Sequence, residues 1–255
     1  MIHPSTIIHP KAKIGNHCDI GPFCVIGEHV TLGDECKLHS HVAIDGHTRL
    51  GRGNEIYPFV ALGTKTQDLK YSGGHPRLEI GDQNVFREGV TVHCGTNDGE
   101  ATVIGSQNLF LIYAHVAHDC ILGDHIIMSG YAGLAGHVAV GDHAILAGHV
   151  GVHQFCRVGK FSLIGGFSKV VQDVPPFMIV DGNPGETRTI NKVGLERAGF
   201  SDAAQAALRS AYKIFFREGL ATPNALAKIE AELPPLPEVK HLLEFIRTSE
   251  RGVCK

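Results

Sequence analysis

Large apolar residues recur at every sixth position along most of the chain. The phase runs without a break from Ile2 to Leu62, returns from Ile80 to Val92, and returns again from Ile104 to Val170, giving 26 apolar positions. A period of six fits neither the 3.6 residues of an α-helix nor the alternation of a simple strand, but it is the hexapeptide pattern of a parallel β-helix. Three hexads close one triangular coil around the apolar side chains, so the repeat predicts about eight to nine coils and a prism on the order of 40 Å long.

Two polar stretches interrupt the repeat, and a different period follows it. Residues 64–77, "TKTQDLKYSGGHPR", and 93–102, "HCGTNDGEAT", carry turn residues where inward apolar residues are expected, so we predict external loops there. The hexapeptide pattern ends after Val170, and from Asn191 onward the period becomes helical, with Ser201 as an N-cap and Gly219 as a stop. The sequence therefore predicts a mainly β protein, with a left-handed parallel β-helix over residues 1–186 and a C-terminal helical domain over 187–255.

Composition and charge exclude several classes of function. The formal net charge is −3, which gives no basic field for nucleic acid, and no run of about eighteen apolar residues is present to enter a membrane. The N-terminal residues lack the charged and then apolar layout of a secretory signal, so we expect a cytoplasmic protein.

The seven cysteines carry no sign of a disulfide framework or a zinc ribbon, because their number is odd and no C-x-x-C spacing occurs. Five of them share one phase, two residues before a repeat position: Cys18, Cys24, Cys36, Cys120 and Cys156. Because this phase otherwise holds small apolar residues, we expect inert thiols in the core.

The segment "YAHVAHDC", residues 113–120, is the strongest candidate for chemistry. Residues eighteen apart lie over each other in a coil of three hexads, so Gly136 should lie over His118, with His137 beside it and His115 on the same strand. Asp119 follows His118 directly. An imidazole, a carboxylate and a glycine backbone are therefore expected together along one edge of the prism.

The residues alone leave three readings of this cluster open. In the first, a neutral imidazole removes a proton from an alcohol, the carboxylate fixes its tautomer and a backbone N–H stabilises an oxyanion, which is the chemistry of acyl transfer. In the second, histidines from neighbouring coils hold a zinc ion with an open position for water, as in β-helical carbonic anhydrases. In the third, the prism is a binding surface without chemistry.

Several longer motifs resemble those of the UDP-N-acetylglucosamine 3-O-acyltransferases, which begin lipid A synthesis. They are "IGPFCVIG", "SHVAIDGHTRLGRGNEIYPFVALG", "QDLKY", "AHVAHDC", "LAGHVAVGDHAILAG", "VHQFCRVG", "QDVPPF" and "GLERAGFS", and the similarity covers nearly the whole chain. Hexapeptides by themselves are shared by many transferases, whereas these motifs with this helical end are specific to the family.

The resemblance implies a mechanism and a set of site residues. His118 would deprotonate the sugar 3-hydroxyl, Asp119 would orient it, and the Gly136 N–H would stabilise the oxyanion of the thioester, with no acyl-enzyme. Residues that match contacts to the nucleotide sugar or the donor are Gln67, Asp68, Lys70, His115, His137, His153, Gln154, Asn191 and Arg197. Gly166 matches the position that limits acyl-chain length, and a glycine there implies a long 3-hydroxyacyl chain of tetradecanoyl class.

The resemblance also implies partners. It points to a homotrimer with its sites between subunits, to an acyl carrier protein as donor and to a UDP-sugar as acceptor, with no cofactor and no metal. A variant of the same reaction, in which a 3-amino sugar accepts the chain as an amide, is equally compatible with these motifs.

Overall fold

The computed structural model describes residues 1–255 and contains 27 strands and four helices. The strands, in chain order, are β1 Ile7–Ile8, β2 Lys13–Ile14, β3 Asp19–Ile20, β4 Val25–Ile26, β5 Thr31–Leu32, β6 Lys37–Leu38, β7 Ala43–Ile44, β8 His47–Leu50, β9 Glu55–Ile56, β10 Ala61–Thr64, β11 Arg77–Ile80, β12 Val85–Phe86, β13 Thr91–His93, β14 Ala101–Ile104, β15 Leu109–Phe110, β16 His115–Val116, β17 Ile121–Leu122, β18 Ile127–Met128, β19 Gly133–Leu134, β20 Ala139–Val140, β21 Ile145–Leu146, β22 Gly151–Val152, β23 Arg157–Val158, β24 Leu163–Ile164, β25 Lys169–Val170, β26 Met178–Asp181 and β27 Glu186–Ile190. The helices are α1 Lys192–Arg197, α2 Asp202–Arg217, α3 Thr222–Glu232 and α4 Pro237–Arg247.

Successive strands belong in turn to three sheets, which form the faces of a left-handed parallel β-helix. One sheet holds nine strands from β1 to β25, the second holds eight from β2 to β23, and the third holds ten from β3 to β27. Undisturbed coils use eighteen residues, since His115 pairs with Gly133 and Gly133 with Gly151. The predicted fold class is confirmed.

The two loops lengthen a coil without disturbing the phase of the repeat. Ala61 pairs with Thr91, thirty residues later, and Thr91 pairs with His115, twenty-four residues later. The insertions therefore add twelve and six residues, both multiples of six, which is why the apolar phase resumes unchanged. The loops between strands run over 65–76 and 94–100, slightly shorter than the predicted ranges, because the residues at their ends pair in β10, β11, β13 and β14.

The repeat residues fill the inside of the prism. Those from Ile20 to Val170 are buried, and so are the five cysteines of the predicted phase; Cys94 and Cys254, for which the phase makes no prediction, are buried too, and all seven are free. The first three repeat residues are exceptions, since Ile2 is 50% exposed and Ile8 and Ile14 are only partly buried.

The C-terminal part packs as a second apolar cluster at the other end. Strand β27 pairs antiparallel with β26, and the first helix begins at Lys192 with Asn191 as its N-cap, where the sequence predicts the helical period to start. Ser201 caps α2 by accepting a hydrogen bond from the Ala204 amide, as predicted. The division into two domains stays a prediction, although the helices and Phe177, Met178 and Ile190 share a cluster separate from the prism core. None of the helices has both the length and the apolar character that crossing a membrane requires.

Candidate active site

His118 and Asp119 occupy the turn that follows β16, at one corner of the prism. Asp119 adopts a left-handed backbone conformation with φ of 60°, and its amide donates to Thr102 Oγ1 at 2.8 Å. The His118 side chain is 13% exposed and the Asp119 side chain 7%. The turn therefore fixes both side chains side by side at the edge of a sheet, with one face of the imidazole still accessible.

Gly136 lies directly over His118, as the eighteen-residue spacing predicts. The His137 amide donates to the His118 carbonyl oxygen at 3.0 Å and holds the two turns together. A Cβ atom at position 136 would lie 2.6 Å from His118 Nε2 and closer still to Cε1, so only glycine fits against the imidazole. The Gly136 amide donates to no protein acceptor and stays available to a ligand.

Asp119 holds the other side of the imidazole. Its Oδ2 lies 2.7 Å from His118 Nδ1. Thr96 binds the same carboxylate twice, through its amide to Oδ1 at 2.9 Å and its hydroxyl to Oδ2 at 2.7 Å. Burial by itself would raise the pKa of Asp119, but the hydrogen bonds from Thr96 and His118 outweigh it and lower the pKa below its ordinary value. The carboxylate is therefore ionised, His118 carries its proton on Nδ1, and Nε2 presents a lone pair.

An open groove of about 590 Å³ runs past this pair along the prism. Five of the predicted site residues line it together with His118: Gln67, His115, Gly136, His153 and Gln154. His115 Nδ1 is 2.8 Å from Thr91 Oγ1, and burial and the nearby His118 lower the pKa of His115. A neutral His115 is suited to hydrogen bonding with a substrate.

Asp68, His118 and His137 also converge, with one ligand atom from each within 4.8 Å of the others. His137 Nε2 is 3.6 Å from Asp119 Oδ2, and the two imidazoles meet edge to face at 5.3 Å. Two histidines and a carboxylate could hold a divalent cation, and such an ion would occupy the lone pair of His118 Nε2. Lys70 follows on the same loop, exposed, with its amide donating to Asp68 Oδ1 at 2.9 Å.

Three predicted site residues lie away from this groove. Asn191 is buried and caps α1, with Oδ1 accepting from the Gly194 amide and Nδ2 donating to the Phe161 carbonyl oxygen. Arg197 is exposed at the end of the same helix. Gly166 lies on another corner of the prism, stacked on Gly148, whose carbonyl oxygen would be 3.3 Å from an added Cβ. Within one chain the structure does not bring these residues to His118.

Four further residues at the site were not predicted. Thr96 and Thr102 hold Asp119, His93 is buried behind His115, and Arg251 places Nη2 3.4 Å from His153 Nδ1. Burial, with the neighbouring His115 and His118, lowers the pKa of His93 to about 4, so it stays uncharged near neutral pH. The interruption of the repeat at 93–102 is the only signal in the sequence that points to the first three.

The arrangement can carry out proton abstraction next to an electrophilic carbonyl group. An imidazole with a fixed tautomer can accept a proton on Nε2, and a free backbone amide close to it can donate to a developing oxyanion. His118 and Gly136 both line the open groove.

The chain is similar to proteins of one kind over its whole length. A model of the family described as Udp N-acetylglucosamine O-acyltransferase, domain 2, matches residues 173–254. A Thermodesulfovibrio yellowstonii protein named acyl-[acyl-carrier-protein]–UDP-N-acetylglucosamine O-acyltransferase is 46% identical over 255 residues, covering 100% of this chain and 99% of that one.

Solved structures give the same result. A UDP-N-acetylglucosamine acyltransferase from Bacteroides fragilis superimposes with a TM-score of 0.98 at 41% identity, covering 100% of both chains. The UDP-N-acetylglucosamine acyltransferase of Francisella novicida superimposes with a TM-score of 0.94 at 37% identity, covering 100% of this chain and 94% of that one.

Proposed function

Because this chain belongs to the UDP-N-acetylglucosamine O-acyltransferase family, it transfers an acyl group from acyl carrier protein to UDP-N-acetylglucosamine, the first step of lipid A biosynthesis, and we propose that His118 is the general base. One observation carries the proposal: the imidazole is held at Nδ1 by an ionised Asp119, while its ring packs against Gly136, whose amide donates to no protein acceptor. The decisive experiment is acyl transfer by the His118→Ala variant.

In the proposed reaction, His118 Nε2 takes the proton of the sugar 3-hydroxyl as that oxygen attacks the thioester carbonyl carbon. The new C–O bond forms a tetrahedral intermediate, and Asp119 stabilises the imidazolium through its bond to Nδ1. The Gly136 amide donates to the oxyanion. When the C–S bond breaks, His118 returns its proton to the leaving thiolate, so the base is regenerated and no atom of the protein is acylated.

Cys120 adjoins the catalytic pair but takes no part in this mechanism. Its side chain is buried, and burial raises the pKa of its thiol to about 12, so the nucleophilic thiolate is scarce near neutral pH. Cys120→Ala is expected to keep kcat within about three-fold of the unchanged protein, because the substitution removes a single buried sulfur atom. Steady-state kinetics test this, and intact mass after mixing with donor alone should show no acyl adduct. A stable adduct that Cys120→Ala abolishes would disprove direct transfer.

We propose that the groove residues of the first loop and of the neighbouring coils hold the two substrates. Gln67, His115, His153 and Gln154 line the groove, and Asp68 and His137 lie at its catalytic end. Lys70 is placed to meet phosphate charge from the exposed part of the loop. Asn191 and Arg197 lie elsewhere in this chain, so in the proposal they reach the nucleotide from a neighbouring subunit, Asn191 chiefly by fixing the start of α1.

A homotrimer is the assembly that this proposal requires. Apolar side chains are exposed on the prism, with Ile121 59% exposed on one sheet and an aromatic column on the corner that holds Gly166. In that column Tyr113, Tyr131, His149 and Phe167 stack with ring centroids 4.7 to 5.2 Å apart, and Phe167 is 75% exposed. Packing such surfaces against a second copy would bury them and would enclose the open groove.

We propose that Gly166 sets the length of the acyl chain from this corner. Gly166→Met is expected to lower transfer of a tetradecanoyl-class chain at least about ten-fold relative to a decanoyl chain, since filling a pocket by a few methylene groups discriminates by that order. Competition between 3-hydroxyacyl donors of both lengths measures the ratio, and the shorter donor serves as the internal control. An unchanged ratio would place the end of the acyl chain elsewhere.

The acyl carrier protein is an acidic partner, and the helical part offers basic side chains for it. Five basic residues lie on α1 and α2: Lys192, Arg197, Arg209, Lys213 and Arg217. We propose that this surface steers the donor toward the groove. A cytoplasmic location accords with such a partner and stays a prediction.

A further inference from the structure

We propose that Thr96 is a positioning residue for the catalytic pair and that Thr66 couples it to the substrate-binding loop. The inference rests on His118 acting as the base and adds a device that sets its orientation. Thr96 comes from the second external loop and Thr66 from the first, so residues outside the β-helical repeat hold the carboxylate that holds the base.

Thr96 holds both oxygens of Asp119. Its amide donates to Oδ1 at 2.9 Å and its hydroxyl to Oδ2 at 2.7 Å, and Thr96 itself is 3% exposed. Two bonds from one residue fix the plane of the carboxylate. Because Asp119 Oδ2 is also the partner of His118 Nδ1, this plane determines where the imidazole points.

The number of available protons determines which group donates in each of these hydrogen bonds. An ionised carboxylate only accepts, so the one hydroxyl proton of Thr96 goes to Asp119 Oδ2. The bond of 3.1 Å between the Thr66 and Thr96 hydroxyls must then be donated by Thr66. Thr66 Oγ1 in turn accepts from the Asp68 amide at 3.1 Å. This series of hydrogen bonds runs from the Asp68 amide through the Thr66 and Thr96 hydroxyls to Asp119 Oδ2, which also accepts from His118 Nδ1.

The direction of donation along these hydrogen bonds selects the reactive tautomer of the base. A carboxylate that already accepts from Thr96 accepts again from Nδ1–H, which leaves the lone pair on Nε2 facing the groove. The first loop carries Gln67, which lines the groove, and Asp68, whose amide starts the chain. When the first loop closes on a bound sugar, the same hydrogen bonds therefore orient the His118 imidazole for proton transfer.

The test compares isosteric valine substitutions at three neighbouring threonines. Thr96→Val removes the hydroxyl proton from Asp119 and is expected to lower kcat about ten- to a hundred-fold with little change in KM, the usual cost of losing an outer partner of a catalytic group. The acid limb of the kcat/KM profile, which reports protonation of the base, should move to higher pH. An Asp119 carboxylate that loses a donor becomes more basic and holds the protonated imidazole more strongly. Thr96→Ser keeps the donor and should recover most of the activity.

Thr64 provides the matched control. Its hydroxyl is also buried, two residues before Thr66, but it has no hydrogen-bond partner. Thr64→Val should therefore leave kcat, KM and the pH profile unchanged, since no polar contact is lost. Thr66→Val removes only the outer step of the chain and is expected to lower kcat about three- to ten-fold, less than Thr96→Val.

The outcomes separate this inference from the general-base proposal. If Thr96→Val and Thr66→Val both behave as Thr64→Val does while His118→Ala is inactive, the positioning role is wrong and the base stands. If Thr96→Val is unfolded in a melting experiment, Thr66→Val, which keeps both donors to Asp119, decides the matter by its kcat and pH profile. Full activity of His118→Ala would instead remove the base on which this inference rests.

Discussion

His118→Ala is expected to lower kcat by about 10³-fold or more, with folding and assembly unchanged. General-base catalysis contributes about 10²- to 10⁴-fold, and the neighbouring imidazole of His137 is a poor substitute, since its Nε2 is 3.6 Å from Asp119 Oδ2 and makes no hydrogen bond to that carboxylate. Acyl transfer measured with excess acyl carrier protein thioester and UDP-N-acetylglucosamine gives kcat. The melting temperature and the mass in sedimentation equilibrium should match those of the unchanged protein.

His125→Ala is a control for removal of an imidazole from a turn. His125 stacks on His143 with centroids 4.6 Å apart, outside the groove, and unlike His118 it has a left-handed backbone, with φ of 57°. It is expected to keep kcat within about three-fold, because surface substitutions cost little. Comparable kcat values for the two alanine variants would show that His118 is not the base.

Gly136→Ala should lower kcat by about 10²- to 10³-fold through one added methyl group. The new Cβ would lie 2.6 Å from His118 Nε2, a distance that real Cβ atoms do not show, so the imidazole or the turn must move. A displacement of about 1 Å costs on the order of 10²-fold, and a misplaced oxyanion donor adds to that loss. Single-turnover kinetics separate this loss from weaker binding, because the loss should lie in the chemical step.

Gly130→Ala is the matched control for the glycine substitution. Gly130 occupies the same place in its hexad on another corner, where an added Cβ would meet the flexible Ile112 side chain at 3.2 Å. This variant should keep kcat within about three-fold of the unchanged protein. If Gly136→Ala is as active as Gly130→Ala, the close packing of Gly136 against His118 is not required for catalysis.

The sequence was sufficient where the repeat sets the geometry. The six-residue period predicts the inward residues, and a coil of eighteen residues predicts that Gly136 covers His118, because strand pairing leaves no other register. The burial of five of the seven cysteines, Cys120 among them, follows from the same period. Because all undisturbed coils share one geometry, the position of a residue within its hexad predicts which residues of the neighbouring coils lie above and below it.

The sequence was insufficient where the repeat is broken. Thr96 and Thr66 lie in loops whose conformation depends on contacts between the loops, and no period predicts that their hydroxyls meet. No residue of the hexapeptide pattern predicts that β27 pairs antiparallel with β26. Gly166 lies on a different corner from His118, and one chain does not bring the two together.

The central claim is that His118 Nε2 receives the proton of the sugar hydroxyl beneath the Gly136 amide. A crystal structure of the protein with UDP-N-acetylglucosamine bound tests it most directly. The account predicts the 3-hydroxyl oxygen about 2.6 to 3.2 Å from His118 Nε2, on the side that Gly136 covers. A 3-hydroxyl bound several ångströms from His118, with another base in contact, would contradict it.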